Sequence, residues 1–229
     1  MEISHSNKFL FVHIPKTAGT SVSEVLRPYS NTLKPNPLRT AAHALRLRTS
    51  PDRSWFEQHD SVRVILERWG KEVLSEYFSF AFVRNPYEHA MSHYFYTKNY
   101  KFGLFNNLSL RGLTFIEYLE WRLQGHDHQR MQRRTRFACM PDQSFYVIDK
   151  NENISVDKIF YSDNVNDALN VICATTKIPV PAEVPNLRIS KNKKRDVLNK
   201  EAISLIRRLY ERDFVNFEFD YDPSIFLEN

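Results

Sequence analysis

KFLFVHIPKTAGTSVSEV is the sequence of residues 8–25, and the predicted architecture follows from it. Residues 8–14 are an apolar, β-branched and aromatic run of strand length, and Pro15 ends the run because proline cannot continue a ladder. After Gly19, apolar residues recur at helical spacing. The stretch therefore predicts a strand, a short loop and a helix. Free N–H groups and the positive end of the helix dipole meet at such a loop, which favours an anionic phosphate.

A second strand, loop and helix follow further along the chain. Residues 78–83, FSFAFV, are an unbroken apolar run typical of a parallel strand buried on both faces. Asn85 is well placed to cap the next helix, and Pro86 suits its first position. The two units together predict an α/β fold of three layers (α/β/α), in which helices flank a mostly parallel central sheet.

Weaker patterns complete the predicted elements. Helices are predicted over residues 40–48, 62–77, 87–100, 115–123, 165–173 and 197–210, and prolines predict an irregular connection over residues 27–39. Residues 143–149 and 156–161 predict two strands, either as a hairpin or with the second strand returned to the main sheet. No internal repeat or linker is evident, so residues 1–229 are predicted to form a single domain.

Composition narrows the classes of function. The net charge of +5 favours an anionic partner but does not choose among nucleotide, polyanion and membrane. Cys139 and Cys173 are too few for a disulfide framework and indicate free thiols in a reducing compartment. No stretch approaches the roughly 20 apolar residues of a membrane span, and MEISHSNK lacks a signal-peptide pattern. We expect a cytoplasmic protein without stable membrane insertion.

The first loop differs from a Walker A sequence, in which lysine follows the second glycine, because Lys16 precedes the loop's glycine. Residues 15–21, PKTAGTS, instead resemble the 5′-phosphosulfate loop of sulfotransferases. Residues 82–86, FVRNP, followed by Ser92, resemble that family's 3′-phosphate motif. Within the family, HIPKTAGTS and FVRNPY are most similar to the branch that contains the heparan sulfate 2-O- and chondroitin-type carbohydrate enzymes and their bacterial relatives.

The resemblance implies a P-loop nucleotide-kinase-like sulfotransferase core, an activity and a site. The implied activity moves a sulfuryl group from 3′-phosphoadenosine 5′-phosphosulfate (PAPS) to a hydroxyl, without a metal, and leaves adenosine 3′,5′-bisphosphate. The implied acceptor is a saccharide, and an anionic saccharide would suit the positive net charge of the chain. Nucleic acid is not expected to bind. Lys16 would stabilise the leaving oxygen. The implied cofactor-binding residues are Lys16, Thr17, Ala18, Gly19, Thr20, Ser21, Arg84 and Ser92.

A general base must take the proton of the acceptor hydroxyl, and histidine has a suitable pKa. His43 is the preferred catalytic base because it lies in the segment where similar enzymes carry theirs. His126 and His128, in the basic segment 126–136, remain rivals. The less favoured histidines are His13, His89 and His93.

Two other functions stay open at this point. An ATP-dependent phosphotransferase would need Mg²⁺ and a carboxylate at a strand end, for which the sequence offers no convincing candidate. A non-catalytic protein that binds polyanions or RNA, with a vestigial nucleotide loop, would bind nucleic acid in a strongly salt-dependent way. The acceptor is expected to contact the variable loops 29–38, 100–110 and 126–136, and the arginines of residues 130–136 would attract a sulfated or carboxylated acceptor.

Overall fold

The structure, a computed structural model, describes residues 1–99, 112–124, 141–181 and 197–224. The chain divides into two compact units, which are described separately below. The first unit is Met1–Val83 with Ser144–Ile189, and the second is Arg84–Gln143 with Ser190–Asn229. That the whole chain is one domain stays a prediction.

The first unit contains a four-stranded sheet in the order β1-β2-β3-β4. Its strands are β1 (Glu2–Ser4), β2 (Phe9–Val12), β3 (Phe78–Val83) and β4 (Lys158–Tyr161). β1 is antiparallel to β2, whereas β2, β3 and β4 run parallel. The carboxyl ends of β2 and β3 therefore lie at the same edge of the sheet. The predicted α/β class and mostly parallel sheet are confirmed.

Ten helices are formed by the part of the chain that the structure describes. They are α1 (Gly19–Leu26), α2 (Pro37–Ala44), α3 (Val62–Trp69), α4 (Lys71–Leu74), α5 (Pro86–Asn99), α6 (Phe115–Gln124), α7 (Ser144–Val147), α8 (Val165–Thr176), α9 (Lys200–Leu209) and α10 (Glu211–Asn216). None of these described helices combines the length and the apolar character that a bilayer crossing requires.

One face of the sheet is aromatic and packs against α1 and α8. Alternate strand residues form a single buried cluster with both helices: Phe9, Phe11, Phe80, Phe82 and Phe160 from the strands, Val22, Val25 and Leu26 from α1, and Leu169 and Ile172 from α8. The intervening residues of the two central strands are buried as well, namely Leu10, Val12, Ala81 and Val83. β2 and β3 are therefore covered on both faces, as predicted for residues 78–83.

The second unit is helical. The buried residues of α5, α6, α9 and α10 form one cluster, which includes Tyr87, Met91, Tyr94, Phe115, Tyr118, Ile206, Leu209 and Phe214. α5 begins as predicted, with Pro86 at its first position and the Asn85 side chain accepting the N–H of Tyr87 at 3.0 Å. Only Arg84 and Asn85 separate the end of β3 from the start of α5 in the sequence.

The predicted hairpin is wrong. Residues 144–147 form α7, and the hairpin is reduced to a single antiparallel bridge between Ile148 and Ile154. The Arg63 side chain donates to the carbonyls of Ile148 and Asp149, at 3.2 and 3.0 Å, so these oxygens serve a tertiary contact instead of a ladder. β4 joins the main sheet, which was the alternative expectation.

Other boundaries also differ from the predictions. α2 begins at Pro37, not at residue 40, because the Asn36 side chain caps it by accepting the N–H of Arg39 at 2.9 Å. His43 consequently lies in the last turn of α2 and not near its start. The predicted final helix is divided at Tyr210 into α9 and α10. Cys173 is free and buried, as expected, whereas Cys139 lies outside the described residues.

Candidate functional site

The loop between β2 and α1 has an unusual backbone. Lys16 and Ala18 have φ angles of 67° and 65°, in the left-handed region that side-chain-bearing residues avoid at a cost of order 1–3 kcal/mol each. Ala18 is the N-cap of α1, yet no side chain caps the helix and no acidic residue occupies its first turn. Left-handed and right-handed residues in succession turn N–H groups toward one side, which creates an anion-binding concavity. The positive end of the α1 dipole is therefore not offset by a side-chain cap or by an acidic residue of the first turn, and it can act on an anionic ligand.

The predicted phosphate-binding residues of this loop differ in their roles. The Thr17 hydroxyl is buried and donates to the carbonyl of Ile14 at 2.9 Å, so it braces the loop. The N–H of Ser21 donates to the carbonyl of Ala18 at 3.1 Å, inside the first turn. The N–H groups of Gly19 and Thr20 are therefore better placed for a phosphate than that of Ser21. Lys16 is half-buried and Thr20 is exposed.

Gly19 is required by a close approach of the His13 ring. A Cβ atom at Gly19 would overlap Cδ2 and Nε2 of His13. The His13 ring is itself stacked on Phe11, with 5.4 Å between ring centroids, and is buried. The imidazole thus fills the space under the first residue of α1, and only glycine fits above it.

His59 is a functional candidate that the sequence did not reveal. Its ring meets His13 edge-on at 4.8 Å between centroids, and its Nδ1 lies 2.8 Å from the His13 carbonyl oxygen. A carbonyl only accepts hydrogen bonds, so Nδ1 carries the proton and Nε2 keeps its lone pair. Burial lowers the pKa of His59 below its usual value of 6.5, which favours the neutral ring. His59 is therefore a neutral base beside the loop.

His43, the predicted base, is engaged with a carboxylate. Its Nε2 lies 2.7 Å from Oδ2 of Asp60, and its ring packs edge-on against Trp55. The same Oδ2 accepts the N–H of Glu57 at 2.7 Å. The contact between Nε2 and Asp60 therefore fixes the orientation of the His43 ring. Asp60 directly follows His59 in the sequence.

In the second unit, Arg84 directly follows β3 and Ser92 is half-buried on α5. The Arg84 Nε lies 2.9 Å from Oε2 of Glu88, and a quarter of the Arg84 side chain is exposed (24%). The guanidinium is therefore held by an ion pair with Glu88, one helical turn further along the chain, and the side chain stays partly exposed.

The remaining histidines separate into two groups. His89 and His93 are fully buried in the second unit, where their Nδ1 atoms contact the hydroxyls of Tyr210 and Tyr118. These contacts make them core residues of the second unit. His126, His128 and the arginines of residues 130–136 lie outside the described residues.

Among the described residues, no three His, Cys, Asp or Glu side chains come together in a group that could hold a metal ion. Reaction without a metal stays a prediction.

Acidification is expected to destabilise the first unit through His13 and His59. Burial lowers the pKa of both histidines, that of His13 well below 6.5. The unfolded chain therefore binds these protons first, and the free energy of unfolding falls as the pH drops below about 6.5. Urea denaturation at about pH 7.5 and about pH 5.5 measures this loss. In His13→Gln the loss on acidification should be smaller, and an equal loss would contradict the assignment.

A family model described as "Sulfotransferase family" matches residues 1–220 of the chain. The match includes the loop after β2, the candidate base His59 and the Arg84 segment. No curated protein matches the chain.

Proposed function

Because this chain belongs to the sulfotransferase family, we propose that it transfers a sulfuryl group from PAPS to a hydroxyl of a carbohydrate. Sulfuryl transfer to a hydroxyl-bearing acceptor is the general activity of the family, whereas the donor and the carbohydrate are the specific parts of the proposal. The observation that supports the donor best is the loop backbone, in which the left-handed residues Lys16 and Ala18 and the uncapped N-terminus of α1 form a turn suited to an anion. The carbohydrate acceptor is supported by the resemblance of residues 13–21 and 82–87 to the carbohydrate branch.

PAPS supplies an activated sulfuryl group that is attached to a phosphate leaving group. By analogy with phosphoryl transfer, catalysis is mainly positioning and stabilisation of the negative charge that spreads in the transition state. The N–H groups of Gly19 and Thr20 bind the 5′-phosphate oxygens in this proposal. The Lys16 ammonium offsets the charge that develops on the leaving oxygen, and the Thr17 hydroxyl keeps the loop in shape through Ile14.

A second phosphate distinguishes PAPS from ATP and AMP. Arg84 is proposed to bind the 3′-phosphate, because a guanidinium can donate to two phosphate oxygens at once. Ser92 adds a hydroxyl donor in the same proposal. The partial exposure of the Arg84 side chain supports this role.

The proton of the acceptor hydroxyl needs a base, and two histidines compete for that role. We favour Nε2 of His59, because the Nδ1 hydrogen bond to the His13 carbonyl leaves Nε2 unprotonated and because burial keeps the ring neutral. The prediction that His43 is the base rests on its position in the sequence. Its Nε2 is already bonded to Asp60.

Replacing Lys16 by alanine is expected to reduce sulfuryl transfer by about 10²-fold or more, which is the usual cost of losing one donor to developing charge. Transfer from radiolabelled PAPS to a panel of neutral and anionic saccharides, with a phenol as the non-carbohydrate acceptor, measures both activity and acceptor class. Lys71→Ala, at an exposed lysine of α4, is the matched control. Undiminished transfer by Lys16→Ala would contradict the role of Lys16, and transfer to the phenol alone would contradict the carbohydrate acceptor.

A further inference from the structure

One buried side chain holds the backbone of Arg84 from both sides. The N–H of Arg84 donates to Oε1 of Gln143 at 2.8 Å, and Nε2 of Gln143 donates to the carbonyl of Arg84 at 2.8 Å. Gln143 has no exposed surface (0%). Both polar groups of the Arg84 main chain are therefore fixed by a single amide, at the point where β3 has ended and α5 has not begun.

The orientation of that amide is set by Asp213. The Oδ2 atom of Asp213 accepts the backbone N–H of Gln143 at 2.9 Å and the Gln143 Nε2 at 3.1 Å. A carboxylate only accepts hydrogen bonds, so it directs the amide nitrogen toward itself and leaves Oε1 for the N–H of Arg84. Asp213 is fully buried, and a buried carboxylate is tolerated only when it is hydrogen-bonded in this way.

A second contact ties the same two segments together. Arg212 donates from Nε and Nη2 to the two carboxylate oxygens of Asp142, both at 2.8 Å. Residues 142 and 143 are thus joined to residues 212 and 213 by consecutive pairs. Gln143 consequently has little freedom to move away from Arg84.

The side chain of Arg84 is held by a different residue. Glu88 occupies Nε through its Oε2 at 2.9 Å and is itself nearly buried. No acceptor among the described residues bonds Nη1 or Nη2 of Arg84. Glu88 therefore fixes the plane of the guanidinium and leaves its two terminal nitrogens for a ligand, which is the pair of donors that a phosphate accepts bidentately.

We propose that Gln143, Asp213 and Glu88 are positioning residues for Arg84, which hold its guanidinium ready for the 3′-phosphate of the nucleotide. The proposal rests on the proposed function, because it needs Arg84 to bind that phosphate. Gln143 and Asp213 fix the main chain of Arg84, and Glu88 fixes its side chain. The carboxylates of Asp213 and Glu88 do not oppose the incoming phosphate as bare charges, since hydrogen bonds occupy them.

The test compares two nucleotides that differ only in the 3′-phosphate. Calorimetry measures the affinities for adenosine 3′,5′-bisphosphate and for AMP in the wild-type chain, Gln143→Met, Asp213→Asn, Glu88→Gln and the control Gln124→Ala, at an exposed glutamine of α6. Gln143→Met keeps the length of the side chain but removes its hydrogen bonds, and Glu88→Gln keeps the shape but removes the charge. The expected result is binding of the bisphosphate that is about 10-fold weaker in the first three variants, because one charged hydrogen-bonded contact is impaired. AMP affinity should stay within about 2-fold of wild type.

Each outcome separates a positioning role of these three residues from a purely structural one. AMP binding shows that a variant is folded, so a selective loss of bisphosphate affinity supports positioning of Arg84. Equal losses for both nucleotides, in Glu88→Gln as well as in the two buried variants, would show that the network is only structural and would overturn the proposal. Unchanged discrimination in all three variants would overturn it too. If the wild-type chain does not distinguish bisphosphate from AMP, the proposed function fails and the positioning proposal fails with it.

Discussion

Alanine in place of Gly19 is expected to lower the melting temperature and to remove nucleotide binding. The new Cβ would overlap the His13 ring, which cannot retreat because it is stacked on Phe11 and packed against His59. Overpacking of this kind costs about 1–3 kcal/mol, and for a chain of this length each kcal/mol corresponds to about 2–4 °C. Any relief by movement of α1 would shift the N–H groups of Gly19 and Thr20 away from the position proposed for the 5′-phosphate.

Thermal unfolding and nucleotide calorimetry measure the two effects, and the chain offers a matched control. Apart from its chain neighbours, no described residue has an atom within 4 Å of a Cβ placed at Gly112, so Gly112→Ala should leave both properties unchanged. Adding His13→Ala to Gly19→Ala should recover part of the lost stability, because it removes the ring that the methyl group meets. A Gly19→Ala chain as stable as Gly112→Ala would show that the close approach of His13 is not a constraint.

Replacing His59 by glutamine is expected to reduce sulfuryl transfer by about 10²- to 10⁴-fold, the usual contribution of a general base. Nucleotide affinity should change little, because no role in phosphate binding is assigned to His59. The lowered pKa of His59 also determines how activity depends on pH, because a general base must be neutral to take a proton. Activity should therefore persist below pH 6.5 and should be lost only when the pH falls below the pKa of His59 in the folded protein. Turnover is measured with the best saccharide of the acceptor panel.

His43→Gln is the comparison that separates the two candidate bases. If His59 is the base, His43→Gln should cost much less activity, since His43 then acts only through Asp60, the neighbour of His59. A larger loss in His43→Gln than in His59→Gln would return the role to His43. Full activity in both variants would place the base elsewhere, with His126 and His128 the remaining candidates.

Much of the fold could be predicted because local sequence patterns, such as apolar runs and capping residues, indicate its strands and helices. The apolar run of residues 78–83 gives β3 with identical bounds, and Asn85 caps α5 where expected. The strand within residues 8–14 and the helix after Gly19 are likewise present. β1 was not predicted, because three residues are too few for a periodic signal. The composition of residues 143–149 predicts a strand, whereas residues 144–147 form a helix. The contacts of Arg63 with the carbonyls of Ile148 and Asp149 are tertiary, so no local pattern reveals them.

The site was less predictable than the fold. Lys16 and Gly19 are recognisable because they lie where a buried strand passes into a helix, and Arg84 because it directly follows a buried strand. His59 gave no such signal, since its contact with the loop runs through a backbone carbonyl of His13. Gln143 was hidden for a similar reason, because its partners are a main chain 59 residues away and a carboxylate 70 residues away.

The central claim is that the chain binds a nucleotide by two phosphates for sulfuryl transfer, and calorimetry with adenosine 3′,5′-bisphosphate, AMP and ATP tests it most directly because no acceptor is needed. The account predicts that the bisphosphate binds more tightly than AMP or ATP and that Arg84→Ala removes this preference. Equal affinity for nucleotides with and without the 3′-phosphate, or a preference for ATP, would contradict it.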